Sequence, residues 1–87
     1  MKSNRRPDGQ DWNSSWSPGD FSKLKILENT YWILCLPTGE PCMIDPKRHT
    51  VTEHEDGTIT ISPSILLSYQ GKELWHGYLE KGVFREC

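Results

Sequence analysis

The stretch Asp56–Cys87, D-G-T-I-T-I-S-P-S-I-L-L-S-Y-Q-G-K-E-L-W-H-G-Y-L-E-K-G-V-F-R-E-C, decides the fold class of this chain. It holds the densest apolar and aromatic run in the sequence, divided by turn signals at Asp56-Gly57, Gln70-Gly71 and Lys81-Gly82. T-I-T-I alternates with the period of two that places successive side chains on opposite faces of a strand. Ser62-Pro63-Ser64 interrupts that pattern, since proline removes a ladder donor and suits an edge or a bend. Ile65–Tyr69 then resumes as a further strand, and Leu74–Leu79 with Val83–Cys87 forms a last hairpin around Glu80-Lys81-Gly82.

Working outward, the loop before this stretch is registered by its faces. A two-residue Asp56-Gly57 loop would set Val51 opposite Ser62 and His54 opposite Ile59. A three-residue Glu55-Asp56-Gly57 loop, with Gly57 in the left-handed conformation, brings Val51 to Ile61 and Thr52 to Thr60 instead. His54 then falls opposite Thr58 on a polar, wet face. E-K-G at Glu80–Gly82 looks like a second copy of the same turn. Further upstream, Lys23–Glu28 alternates with Leu24 and Ile26 on one face, and Glu28-Asn29-Thr30 reads as a turn into the apolar run Tyr31–Leu36. If Pro37–Glu40 is the next loop, Leu36 faces Pro41 and Cys35 faces Cys42, which puts two thiols side by side.

No helical period occurs anywhere. The expectation is an all-β single small domain of six to eight short antiparallel strands, a sandwich, roll or small open barrel, spanning residues 21–87. Residues 1–20 are rich in Ser, Asn, Asp, Gly and Pro and read as an irregular arm. Trp12 and Trp16 stand out in that arm. They either fold back over an open sheet face or anchor a partner, since exposed Trp is a frequent hot-spot residue.

A chain of 87 residues buries a thin core, about 60% of its unfolded surface, so a metal or a partner contact is worth seeking. Net charge is −2, but without Lys2, Arg5 and Arg6 the remaining residues carry a balance of −5. An acidic domain lacks the Lys and Arg footprint that nucleic-acid binding requires. No run approaches the ~18 apolar residues of a membrane span, and the N-terminus lacks the apolar run of a secretory signal. Three cysteines cannot all pair within one chain, which fits free or metal-bound thiols and a cytoplasmic location.

Pro63-Ser64-Ile65 and the run from Trp75 to Phe84 resemble the ending of a widespread family of small proteins found in phages, prophages and bacterial accessory gene clusters. There a P-S-I strand precedes a C-G-W-H-G-Y-L-x-x-G-V-F-like hairpin, with a cysteine-rich turn upstream. The resemblance covers roughly the C-terminal 55 residues and implies a zinc-binding ancestry. Where the family pattern has Cys three residues before the His, this chain has Glu73, and the upstream turn is reduced to Cys35-x-Pro37-x-Gly39-x-x-Cys42.

One zinc ion held by Cys35, Cys42, His76 and Cys87, with Glu73 as the alternative fourth ligand, is the metal site these residues suggest. A two-residue Lys81-Gly82 loop would bring His76 opposite Cys87, and a three-residue loop would pair it with Glu86. The competing reading makes both upstream cysteines small buried hydrophobes and His76 a hydrogen-bonded neighbour of Trp75. No nucleophile elbow, phosphate loop or HExxH motif is present, and a zinc- or Cys/His-dependent hydrolase ranks behind the other readings. The leading expectation is a non-enzymatic acidic binding module that contacts another protein, its sharpest version being an inhibitor of a host defence complex. A zinc-stabilised accessory protein is the alternative.

Overall fold

In the computed structural model, which describes residues 1–87, the chain forms eight strands and no helix: β1 (Asn4–Arg5), β2 (Asp20–Ile26), β3 (Asn29–Cys35), β4 (Pro41–Ile44), β5 (Thr50–Glu53), β6 (Ile59–Tyr69), β7 (Lys72–Glu80) and β8 (Val83–Glu86). They make two four-stranded sheets, ordered β1-β2-β3-β4 and β5-β6-β7-β8. The all-β expectation is met. Alternation drives the packing: Phe21, Trp32, Leu34 and Ile44 from the first sheet meet Ile59, Ile61, Ile65, Trp75, Leu79 and Phe84 from the second in one core.

The first five residues join the two sheets. Asn4 and Arg5 pair in parallel with β2. Just before them, Ser3 N–H donates to the Gly82 carbonyl at 2.8 Å, and Phe84 N–H donates to the Met1 carbonyl at 2.8 Å. The strands therefore run in the continuous order β4-β3-β2-β1-β8-β7-β6-β5, a barrel left open between its two ends. Arg5 fastens the junction, donating to Glu53 at 2.8 Å and to the Gly57 carbonyl at 3.1 Å. Its guanidinium also lies 5.3 Å from the Trp32 ring centre, where cation–π attraction adds to the ion pair.

Residues 1–20 are irregular outside β1, yet they are fastened to the sheet. The buried Asp20 carboxylate accepts Asn4 Nδ2–H at 3.0 Å and Ser17 N–H at 2.9 Å, with Arg6 at 3.7 Å. Ser22 Oγ donates to the Gln10 carbonyl. Trp16 is buried with Ile33 and Cys35, and Trp12 packs against them. The two tryptophans thus cover the outer face of the first sheet, which is the first of the two roles open to them. Because Lys2, Arg5 and Arg6 belong to the fold, the folded unit carries the whole-chain charge of −2 rather than −5.

The β5–β6 hairpin has the expected three-residue loop: Val51 pairs with Ile61, Thr52 with Thr60, and His54 N–H donates to the Thr58 carbonyl at 2.8 Å. Two other turns differ from expectation, and the open choice at the β7–β8 loop is decided. The β2–β3 loop is Leu27-Glu28, with Leu27 at φ 56° and 90% exposed, one residue ahead of the polar signal at Glu28-Asn29-Thr30. The β7–β8 loop is the two-residue Lys81-Gly82, both at positive φ as a type I′ turn requires, so E-K-G does not repeat E-D-G. The true repeat is Pro37-Thr38-Gly39, where Leu36 N–H meets the Glu40 carbonyl at 2.9 Å and Gly39 has φ 94°.

β6 runs through Pro63 without ending. Its three residues Ser62–Ser64 stand opposite the single Tyr78, a bulge that absorbs the missing proline donor.

Candidate functional site

The three-residue Pro37–Gly39 loop shifts the β3–β4 register by one from the expected pairing. Leu34 faces Cys42, and Cys35 faces Pro41. A one-residue shift moves a side chain to the other face of the sheet. Cys35 accordingly lies buried under the tryptophan arm, while Cys42 points into the main core. Burial pushes both thiols up from their ordinary value. The set Cys35, Cys42, His76 and Cys87 is therefore not assembled, and no group of three or more metal-ligating side chains occurs elsewhere. Cys35 and Cys42 therefore do not share one side of the sheet.

The polar centre that does form lies on the outer face of the second sheet. Trp75, Gly77 and Leu79 point inward, so His76 and Tyr78 point outward. The W-x-G spacing is a packing device: a Cβ at Gly77 would stand 2.2 Å from the Arg85 carbonyl oxygen and 2.6 Å from the Trp75 ring. Trp75 also meets Phe84 edge-on, at 6.0 Å between ring centres and 80° between planes. Trp75 through Phe84 is thereby largely explained as core and turn, with His76 half-buried on the outer face of β7.

Ser64 of β6 and His76 of β7 touch: Ser64 Oγ hydrogen-bonds His76 Nε2 at 3.1 Å. Glu73 Oε1 lies 3.9 Å from the other ring nitrogen, Nδ1. The two-residue Lys81-Gly82 loop brings Cys87 opposite His76, with Cys87 N–H donating to the His76 carbonyl at 2.9 Å. On the far side of the strand, His49 Nε2–H donates to the Ser64 carbonyl at 3.2 Å. A hydroxyl, an imidazole and a carboxylate in this order could polarise the Ser64 oxygen. None of the five cavities is lined by Ser64, Glu73, His76 or Cys87, so the group sits on open sheet surface.

Around it the face is partly apolar. Leu66, paired with His76, is 57% exposed, and Tyr78, paired with Arg85, is 42% exposed. His54 lies on the same wet face, hydrogen-bonded to Thr60 Oγ1 at 2.7 Å. Sequence reasoning singled out His76 but missed Ser64, Leu66 and Tyr78. The period-two alternation through Trp75–Leu79 was the available signal for Tyr78. The Ser64 contact had none, because the length of the Ser62–Ser64 bulge decides it. Comparison with protein-family models, curated proteins and solved structures finds no match to this chain. No helix is long and apolar enough to cross a membrane.

Proposed function

We propose that this protein is a non-enzymatic module that binds another protein through the outer face of β6, β7 and β8. The observation that carries this reading is an asymmetry between the two sheets. One outer face is closed by its own arm and two tryptophans, while the other is left open with Leu66, Tyr78 and Arg85 around the Ser64–His76 pair. Tyr and Arg are the residue types that anchor protein interfaces, where an aromatic ring supplies contact area and a guanidinium supplies directed donors. Arg85, paired with Tyr78, stands among Glu73, Glu80 and Glu86 on β7 and β8, which is not the basic stripe a phosphate backbone needs. A contact surface also suits the Ser64–His76–Glu73 group better than turnover does, since no cavity there would exclude water from a substrate. With the arm docked and the charge at −2, shape and apolar contact carry more of the recognition than attraction to a basic partner.

The test compares proteins captured by the wild type with those captured by Tyr78→Glu and by Leu27→Glu, each first shown to melt as the wild type does. A partner retained by Leu27→Glu and lost by Tyr78→Glu supports the reading. Capture that is the same for all three, or none by any, rejects it.

A further inference from the structure

The open side of the barrel has the form of a missing strand. β6 runs for 11 residues, but β5 pairs with it only from Ile59 to Ser62. Beyond that point β6 has β7 on one side and no strand on the other. Backbone direction follows from the alternation of antiparallel ladders. His54 N–H bonds the Thr58 carbonyl, so Thr60 and Ser62 turn their backbone groups toward β5. The Ser64 carbonyl points the same way, where His49 takes it. Continuing along β6, the N–H and C=O of Leu66 and Ser68 face the empty side.

β4 supplies the opposite wall. The Leu36–Glu40 bond makes Leu34:Cys42 and Trp32:Ile44 the hydrogen-bonded pairs, so Met43 turns its N–H and C=O away from β3. Between these edges lies a groove of about 350 Å³ lined by Cys42, Ile44, Ile65 and Leu67 along its floor. Met43, 53% exposed, and Leu66 stand at its lips. Natural proteins guard free strand edges with charge, proline or a covering segment. Pro41 guards the start of β4, and Asp45, Arg48 and His49 of the β4–β5 connection cover the groove's end beside Ser64, which leaves the stretch between Met43 and Leu66 as the open part.

We propose that this groove accepts an extended segment of a partner protein as an added β-strand between β4 and β6. The proposal rests on the binding-module reading and names the form its partner takes. Four residues at about 3.3 Å each would match the length of β4. Their backbone would pair with Met43 on one side and with Leu66 and Ser68 on the other, and alternate apolar side chains would fill the floor. A second copy of this chain is a poorer occupant through β4 itself. Between Pro41 and Ile44 only Met43 offers both an outward donor and an outward acceptor, too few for two such edges to pair.

The probe is a capped heptapeptide of alternating Val and Thr with Lys at each end, titrated into the full chain and followed by amide NMR and hydrogen exchange. The expected result is a saturable shift at Met43, Leu66 and Ser68, slower exchange at those amides, and at least tenfold weaker binding when alternate peptide nitrogens are methylated. The variant Met43→Lys, at an exposed site, should weaken binding while leaving the melting curve in place. Three outcomes overturn the strand: no saturable shift at millimolar peptide, binding indifferent to methylation, or amides already protected in the free protein through concentration-dependent self-association. Loss of the groove with capture still sensitive to Tyr78→Glu rejects this inference alone. Loss of both rejects the module.

Discussion

Replacing Gly77 with alanine separates two physical effects of opposite sign. Gly77 does not adopt positive φ, so as a matter of chain entropy alone alanine should stabilise by about 0.4–1 kcal/mol. Packing acts the other way. The new methyl would lie 2.2 Å from the Arg85 carbonyl oxygen and 2.6 Å from the Trp75 ring, at least 0.8 Å inside ordinary contact at 3.4 Å. The carbonyl belongs to the β7–β8 ladder, which leaves the ring as the part able to move. A displaced ring has a large cost, because Trp75 is 2% exposed and lies against Phe84. An aromatic side chain buries roughly 150–250 Å², so full expulsion at ~25 cal/mol per Å² costs about 4–6 kcal/mol. Partial accommodation in an overpacked core costs about 1–3 kcal/mol. A net loss of about 2–4 kcal/mol is expected, a large share of the roughly 4–13 kcal/mol available to a chain of this size. Urea unfolding followed by tryptophan fluorescence measures it, with Gly71→Ala as the companion that reports backbone strain without a clash, since φ there is 77° and a Cβ meets nothing within 4 Å. A loss below ~1 kcal/mol, or any gain, would refute the assignment of Trp75 and Gly77 to packing.

Three further outcomes follow from the same structure. Hydrogen bonds from Arg5 and Lys23 hold the Glu53 carboxyl below its ordinary value of 4.5, so its stabilisation is complete above that pH and is lost as the pH falls through the lowered folded value. Glu53→Gln should cost roughly 0.2–1 kcal/mol at pH 7, the scale of exposed ion pairs, and flatten the decline in acid; equal slopes for the two proteins would contradict it. With Cys35 buried, Cys42 half-buried and Cys87 exposed, a thiol reagent at pH 8 should titrate one cysteine rapidly and two more only on unfolding. Cys87→Ser should abolish the rapid phase, and a fast phase that persists would place Cys42 or Cys35 at the surface. Trp16→Ala should cost about 3–5 kcal/mol by uncovering Ile33 and Cys35, whereas Trp16→Phe should change stability by less than ~1 kcal/mol. Its indole N–H is buried without an acceptor, so phenylalanine removes an unmet polar group along with some area. Thermal melts of the two variants decide whether the arm is held by apolar contact.

Much of the fold is written locally. T-I-T-I and W-H-G-Y-L state which residues face inward, and Val51 finds Ile61 because only the three-residue Glu55–Gly57 loop brings apolar side chains together across that hairpin. Hydrophobic alternation and turn chemistry act over a few residues, so they can be read in one dimension. The expected pairing of the two thiols is overturned at the same level of detail. Pro37-Thr38-Gly39 closes by the same device as Glu55-Asp56-Gly57, and that one residue of register puts Cys35 and Cys42 on opposite faces. Composition was equally silent about the arm, whose residues bind Asp20, Glu53 and Ser22 only once the sheets exist to present them.

Period and turn type determined the class of architecture, the β5–β6 register and the inward set of the last hairpin, because each depends on neighbours within one strand or one loop. The meeting of Ser64 with His76, the closure of the barrel by residues 1–5, the covering of one sheet by Trp12 and Trp16, and the groove beside Met43 and Leu66 were decided in three dimensions. Each depends on where separate hairpins come to rest against one another, and that is settled by the shared core and by the lengths of bulges, which no local pattern specifies.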